Sequence, residues 1–141
     1  MINLYPTICN LCGGKVIYTS NAQIYGKEYG SGKCYYCTCC HAYVGTHKPN
    51  PRIALGILAD AEMRAMKMKC HELFDSMWKG KPSKGANKNP RQKLYKWLAE
   101  ELNIPVSECH FGYFDMNMLN KAYEILKARK NMETKGENND Q

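Results

Sequence analysis

No run of apolar residues in this sequence is long enough to cross a bilayer, which sets aside an integral membrane protein and a membrane partner. The opening Met-Ile-Asn-Leu-Tyr-Pro lacks both the basic and the apolar region of a secretory signal, so the chain is expected in a reducing cytoplasm. Acids are missing from one stretch altogether. Between Lys79 and Lys96 stand seven bases (Lys79, Lys81, Lys84, Lys88, Arg91, Lys93 and Lys96) and no Asp or Glu. Such a stripe suits a polyanionic partner, and a solvated loop has the same composition. No motif for reading base edges is visible, so direct DNA or RNA binding would be largely independent of sequence.

What the chain does have is cysteine, eight of them in 141 residues. In an exported protein they would form four disulfides. Here six of them fall in close pairs in a chain without an export signal, the pattern of metal binding in a reducing compartment. Cys9-Asn-Leu-Cys12-Gly-Gly has the form of a zinc knuckle, in which the glycines permit the turn that aims backbone N–H groups at the sulfurs. Cys37-Thr-Cys-Cys40 supplies a second pair after 24 intervening residues, a spacing that holds the β-hairpin of a zinc ribbon. Cys34-Tyr-Tyr-Cys37 is a rival pair, and His41 or His47 is able to replace one sulfur. The reading preferred is one structural Zn²⁺ on Cys9, Cys12, Cys37 and Cys40, with Cys34 and Cys39 as bystanders. Four thiolates close the shell and leave no open position for catalysis.

The rest of the chain sorts by pattern. Residues 1–48 read as the ribbon, with β character at Val16–Thr19, Ala22–Tyr25 and Ala42–Gly45. Residues 49–130 read as a helical module. Its first helix spans about 60–78, capped by Asp60, with Met63, Met66, Cys70, Leu73, Phe74 and Met77 on one stripe. A basic loop follows at 79–88. Asn89 and Pro90 then open a helix to about 102, ended by Asn103 and Pro105, and a third helix covers about 115–129. Residues 131–141 read as a disordered polar tail. The fold class is therefore α+β: a small N-terminal zinc ribbon, a β-hairpin with two cysteine knuckles, packed against three α-helices.

Taken together, Cys9-x-x-Cys12-Gly13-Gly14, Cys37-x-x-Cys40-His-Ala42-Tyr43-Val44-Gly45-x-His47, His71-x-x-Phe74-Asp75-x-x-Trp78, Arg91-x-x-x-Tyr95-x-Trp97-Leu98-Ala99 and Cys109-His110-x-Gly112-x-Phe114-Asp115 resemble the phage and prophage "zinc-finger-containing domain" family of small proteins of unassigned function. The resemblance covers about residues 9–127. The family pattern carries a further cysteine where Thr46 stands and another in the third helix near Leu119; their absence here argues that neither is needed for zinc. The resemblance implies a phage or mobile-element origin and a host bacterial cytoplasm. It supplies no activity.

Three functions remain in view. The first is a non-enzymatic protein acting by macromolecular binding in nucleic-acid transactions, docked on a host nucleic-acid-handling protein or nuclease. An anti-CRISPR-like inhibitor of an RNA-guided nuclease is one example, by analogy of setting. The second is direct DNA or RNA binding through Lys79–Lys96. The third, least favoured, is a hydrolase using His71 and His110, with Asp75 and Asp115 nearby in sequence. Structural roles for those histidines are the simpler reading, because no second ligand or catalytic set accompanies them. No small-molecule substrate is expected. Trp78, Tyr95 and Trp97 sit at helical spacing and read as core before they read as base-stacking groups.

Overall fold

The structure is a computed structural model that describes residues 2–80 and 89–139, the last six of these by backbone alone. It is an α+β fold. Three strands, β1 (Val16–Ser20), β2 (Lys33–Cys37) and β3 (Tyr43–Gly45), form an antiparallel sheet in the order β1-β2-β3. A single helical turn, α1 (Ala22–Tyr25), follows β1, and three longer helices follow the sheet: α2 (Ala61–Trp78), α3 (Pro90–Leu102) and α4 (Met116–Asn139). Two 3-10 turns, Val106–Glu108 and Phe111–Tyr113, lie between α3 and α4. Among the described residues no helix is long and apolar enough to cross a membrane.

The described chain divides into two compact units. The first runs to Arg64 and takes in Gly112–Asp115; the second holds Ala65–Phe111 and the chain from Met116 onward. The first unit extends beyond residue 48 for a backbone reason. Residues 53–59 run beside β3, where His47 N–H donates to Ile53 O (2.9 Å), Leu55 N–H to Gly45 O (2.9 Å), and Ala59 and Tyr43 exchange both bonds (3.0 and 3.2 Å). The outer edge of β3 is thereby covered. Register places Val16, Tyr18, Tyr35, Cys37 and Val44 on one face of the sheet, where they join Cys9, Ala42, Ala54 and Leu58 in a core.

In the second unit the apolar stripes read from the sequence form the core. Phe74 packs at a tilt against Tyr95 with ring centroids 4.2 Å apart and meets Phe111 edge-on at 5.6 Å. Leu94, Leu98, Leu102, Leu119, Ala122 and Leu126 are all buried. Three caps are those the sequence implies. Asp60 accepts the Met63 N–H (2.9 Å), Asn89 accepts the Gln92 N–H (3.1 Å), and Asn103 closes α3 in a left-handed conformation with φ 57°.

Two elements differ from the sequence reading. Ala22–Tyr25, whose composition predicts strand, turns helical because Asn21 N–H pairs with Gly32 O and Gly26 caps the turn at φ 83°, closing β1 directly onto a loop. The polar tail expected from residue 131 continues α4 to Asn139. Extending a nucleated helix needs no apolar face, and Met132, Glu133, Lys135 and Glu137 are good helix formers.

Candidate metal centre

Both knuckles are built by the same backbone turn. Gly13 N–H donates to Cys9 O (2.9 Å) and Cys9 N–H to Gly14 O (2.9 Å); in the second knuckle, His41 N–H donates to Cys37 O (3.1 Å) and Cys37 N–H to Ala42 O (2.8 Å). Equivalent residues also take the left-handed conformation, Gly13 at φ 76° and His41 at φ 67°. Glycine does this freely, whereas histidine is strained there. The Tyr36 hydroxyl holds the His41 ring in place through Nδ1 at 2.6 Å. His41 thus shapes the second knuckle and stands outside the four-sulfur cluster.

These turns bring four sulfurs together. Cys9 and Cys40 Sγ lie 3.7 Å apart, Cys12 and Cys37 Sγ 3.4 Å, and all four fall within 4.8 Å of one another. Zn–S bonds of about 2.3 Å in a tetrahedron separate sulfurs by about 3.8 Å, so the cluster fits one Zn²⁺ with its ordinary four-sulfur shell. Backbone N–H groups also face the sulfurs. Leu11 donates to Cys9 and Gly14 to Cys12 at 3.3 Å, while Cys39 and Cys40 donate to Cys37 at 3.4 Å. Such donors stabilise thiolate charge.

The electrostatics suit a cation. The Cys40 N–H above all, with that of Cys39, outweighs burial and brings the Cys37 thiol down to about 6. Cys40 receives the Ala42 N–H, yet burial and the sulfurs of Cys12, Cys9 and Cys37 push it up to about 12. One thiolate discourages the next, and a dication at the centre removes the conflict. When bound, zinc there supplies a cross-link between the knuckles.

Several contacts around the sulfurs have no sequence signature. The Asn10 side chain clamps Leu58 with bonds of 2.9 and 3.0 Å to its N–H and C=O. Lys15 O accepts both the N–H and the hydroxyl of Thr38 at 2.9 Å, tying one knuckle to the other. A Cβ on Gly14 would stand 2.7 Å from Cys39 Sγ and 2.8 Å from Cys39 Cβ. Gly14→Ala is therefore expected to weaken zinc retention at least tenfold in chelator competition, with partial recovery in Gly14→Ala/Cys39→Gly. Equal retention by Gly14→Ala would contradict that packing.

The remaining sequence candidates fall elsewhere. Cys34 is buried on the opposite face of β2 from Cys37, its thiol raised by burial, and Cys39 is exposed. Among the described residues, Cys9, Cys12, Cys37 and Cys40 form the one cluster able to hold a metal. His71 meets Phe111 edge-on at 4.8 Å, and Asp75 accepts the Trp78 indole N–H (2.8 Å) and pairs with Lys79 (3.5 Å). Lys81, Lys84 and Lys88 lie outside the described residues, while Lys79, Arg91, Lys93 and Lys96 are exposed. Tyr95 is core, and Trp97 is half-buried beneath the Arg129 guanidinium at 4.3 Å.

Residues 5–129 match the model of a family described as a zinc-finger-containing domain. No curated protein and no solved structure matches the chain. The family description names no catalytic activity. With that match spanning most of the chain and its four cysteines gathered for one structural zinc, the chain belongs to the zinc-finger-containing domain family.

Proposed function

We propose that the protein works without catalysis, by macromolecular binding in nucleic-acid transactions, and that it docks on a host nucleic-acid-handling protein in a bacterial cytoplasm. The observation that carries this reading is the aromatic surface of the first unit. Tyr25 and Tyr29 are each about half exposed (51% and 52%) and meet edge-on at 5.6 Å. Tyr25 also meets Tyr43 at 6.3 Å, where Arg64 stacks over the Tyr43 ring at 4.2 Å. Asn21, itself buried, fixes the loop by bonding both the N–H (3.1 Å) and the C=O (2.8 Å) of Tyr29. Held tyrosines beside arginine are the side chains that dominate protein interfaces. A closed four-sulfur shell leaves zinc to brace this surface rather than to react.

Direct nucleic-acid binding through Lys79–Lys96 has weaker support. At about 100° per residue, Lys93 and Lys96 share a side of α3 with Glu100, whereas Arg91 projects about 140–160° away. The described bases thus do not make one uninterrupted stripe. Within the docking reading, inhibition of an RNA-guided nuclease of host defence is the role to examine first, in keeping with a phage setting.

The test is affinity capture from nuclease-treated host lysate, at low and high salt, by the zinc-loaded chain and by Tyr25→Ala/Tyr29→Ala. Recovery of one nucleic-acid-handling protein at both salts, lost in the double variant, is the expected result. Capture that vanishes with nuclease or salt would favour direct binding. Capture unaffected by the two substitutions would remove the tyrosine face from the interface.

A further inference from the structure

The second unit contains a cavity of about 230 Å³ between the start of α3 and the turn after it, lined by Arg91, Gln92, Tyr95, Ser107, Cys109 and His110 among others. Two motifs far apart in sequence meet there, Arg91-x-x-x-Tyr95 and Cys109-His110. Their convergence is unexplained by zinc, to which neither contributes. The volume is several times one water's share of about 30 Å³ and below the roughly 300–1,000 Å³ of a cleft for a whole drug-sized molecule. It suits a small group.

The chemistry of the lining is one-sided. Arg91 lies with its guanidinium 4.9 Å over the Tyr95 ring and donates to the Tyr95 hydroxyl at 3.5 Å. Tyr95 is in turn packed against buried Phe74. One of the five guanidinium donors is used to fix the fork, and the group stays charged at any working pH. The Gln92 amide and the Ser107 hydroxyl add donors, and the His110 ring stands 6.3 Å from that of Tyr95. None of the lining residues is acidic. Burial pushes the Cys109 thiol up to about 11, so it brings no competing negative charge. The nearby Asp75 carboxylate is engaged by Trp78 and Lys79.

We infer that this cavity binds a phosphate group, with Arg91 as its principal contact and Gln92, Ser107 and His110 completing the cradle. Donors approach from two directions, the first turn of α3 and the turn at 106–110. That arrangement suits an anion with oxygens on every side better than a planar carboxylate. The phosphate comes either from a free ion or from the phosphorylated end of a nucleic-acid strand, and the chemistry recognised is the same. This inference stands apart from the docking reading, which uses the other unit.

Titration calorimetry of inorganic phosphate into the zinc-loaded full chain, at low ionic strength, tests it. Saturable binding is expected, weakened at least tenfold in Arg91→Gln and partly kept in Arg91→Lys, with zinc content and circular dichroism unchanged in both. His110→Ala should also weaken it. A second arm compares 5′-phosphorylated and 5′-hydroxyl oligothymidylate. Tighter binding of the phosphorylated strand assigns the site to strand ends, and equal binding of the two, with inorganic phosphate still bound, assigns it to the free ion. No binding of phosphate in either form, or binding undiminished in Arg91→Gln, overturns the inference.

Discussion

Cys37→Ser is expected to abolish zinc binding and to unfold the first unit, and chelation of the native chain should have the same effect. Cys37 is completely buried, receives two backbone N–H groups on its sulfur, and sits in β2 opposite Val16 within the core of that unit. Structural zinc contributes ~10–16 kcal/mol of apparent binding energy, against ~5–15 kcal/mol for the net stability of a typical protein. A three-stranded sheet with so few large side chains has no reserve of that size. Elemental analysis and near-ultraviolet dichroism of the tyrosines provide the readout. Cys34→Ser, on the other face of β2, should retain one zinc and the native spectrum. A Cys37→Ser variant that kept both metal and spectrum would exclude Cys37 as a ligand.

Gly56→Ala is expected to destabilise the first unit by about 3 kcal/mol or more, although no sulfur is touched. A Cβ at Gly56 would lie 2.0 Å from the carbonyl oxygen of Gly112. That oxygen already accepts the Ile57 N–H at 2.9 Å, so it has no freedom to retreat without breaking the bond. The obstacle is backbone rather than the tip of a flexible side chain, and repacking cannot relieve it. Gly112→Ala meets Leu55 O at 3.0 Å and should cost less. Urea melts of the two variants give the ordering directly. Gly56→Ala within 1 kcal/mol of the native chain would contradict the close approach of the two segments.

The same pair of glycines shows what a sequence displays and what it conceals. Cysteine spacing announces the zinc site because two residues between thiols is a local geometric requirement, and both knuckles satisfy it within six residues. Helix stripes are equally local: Cys70, Phe74 and Met77 recur at the period that buries one side. Gly112, by contrast, stands in a motif whose reason lies 56 residues away, at Gly56. Pairing of residues 53–59 with β3 has no composition of its own, since backbone bonds there ask little of side chains. His41 hides its left-handed backbone because nothing in its neighbours marks the position as one for glycine. The Arg91–His110 cavity is likewise assembled by folding, from a helix start and a turn that share no local pattern. Spacing also left Cys34 open as a ligand, and only the alternation of β2 puts it on the face away from Cys37.

The most direct measurement is X-ray absorption at the zinc edge on the purified chain, combined with zinc per chain by elemental analysis. One zinc with four sulfurs at about 2.3 Å, and no lighter neighbour in the shell, is the result that a site of Cys9, Cys12, Cys37 and Cys40 predicts. A nitrogen in the shell would bring His41 or His47 in as a ligand, and fewer than four sulfurs or no bound zinc would contradict the closed structural centre.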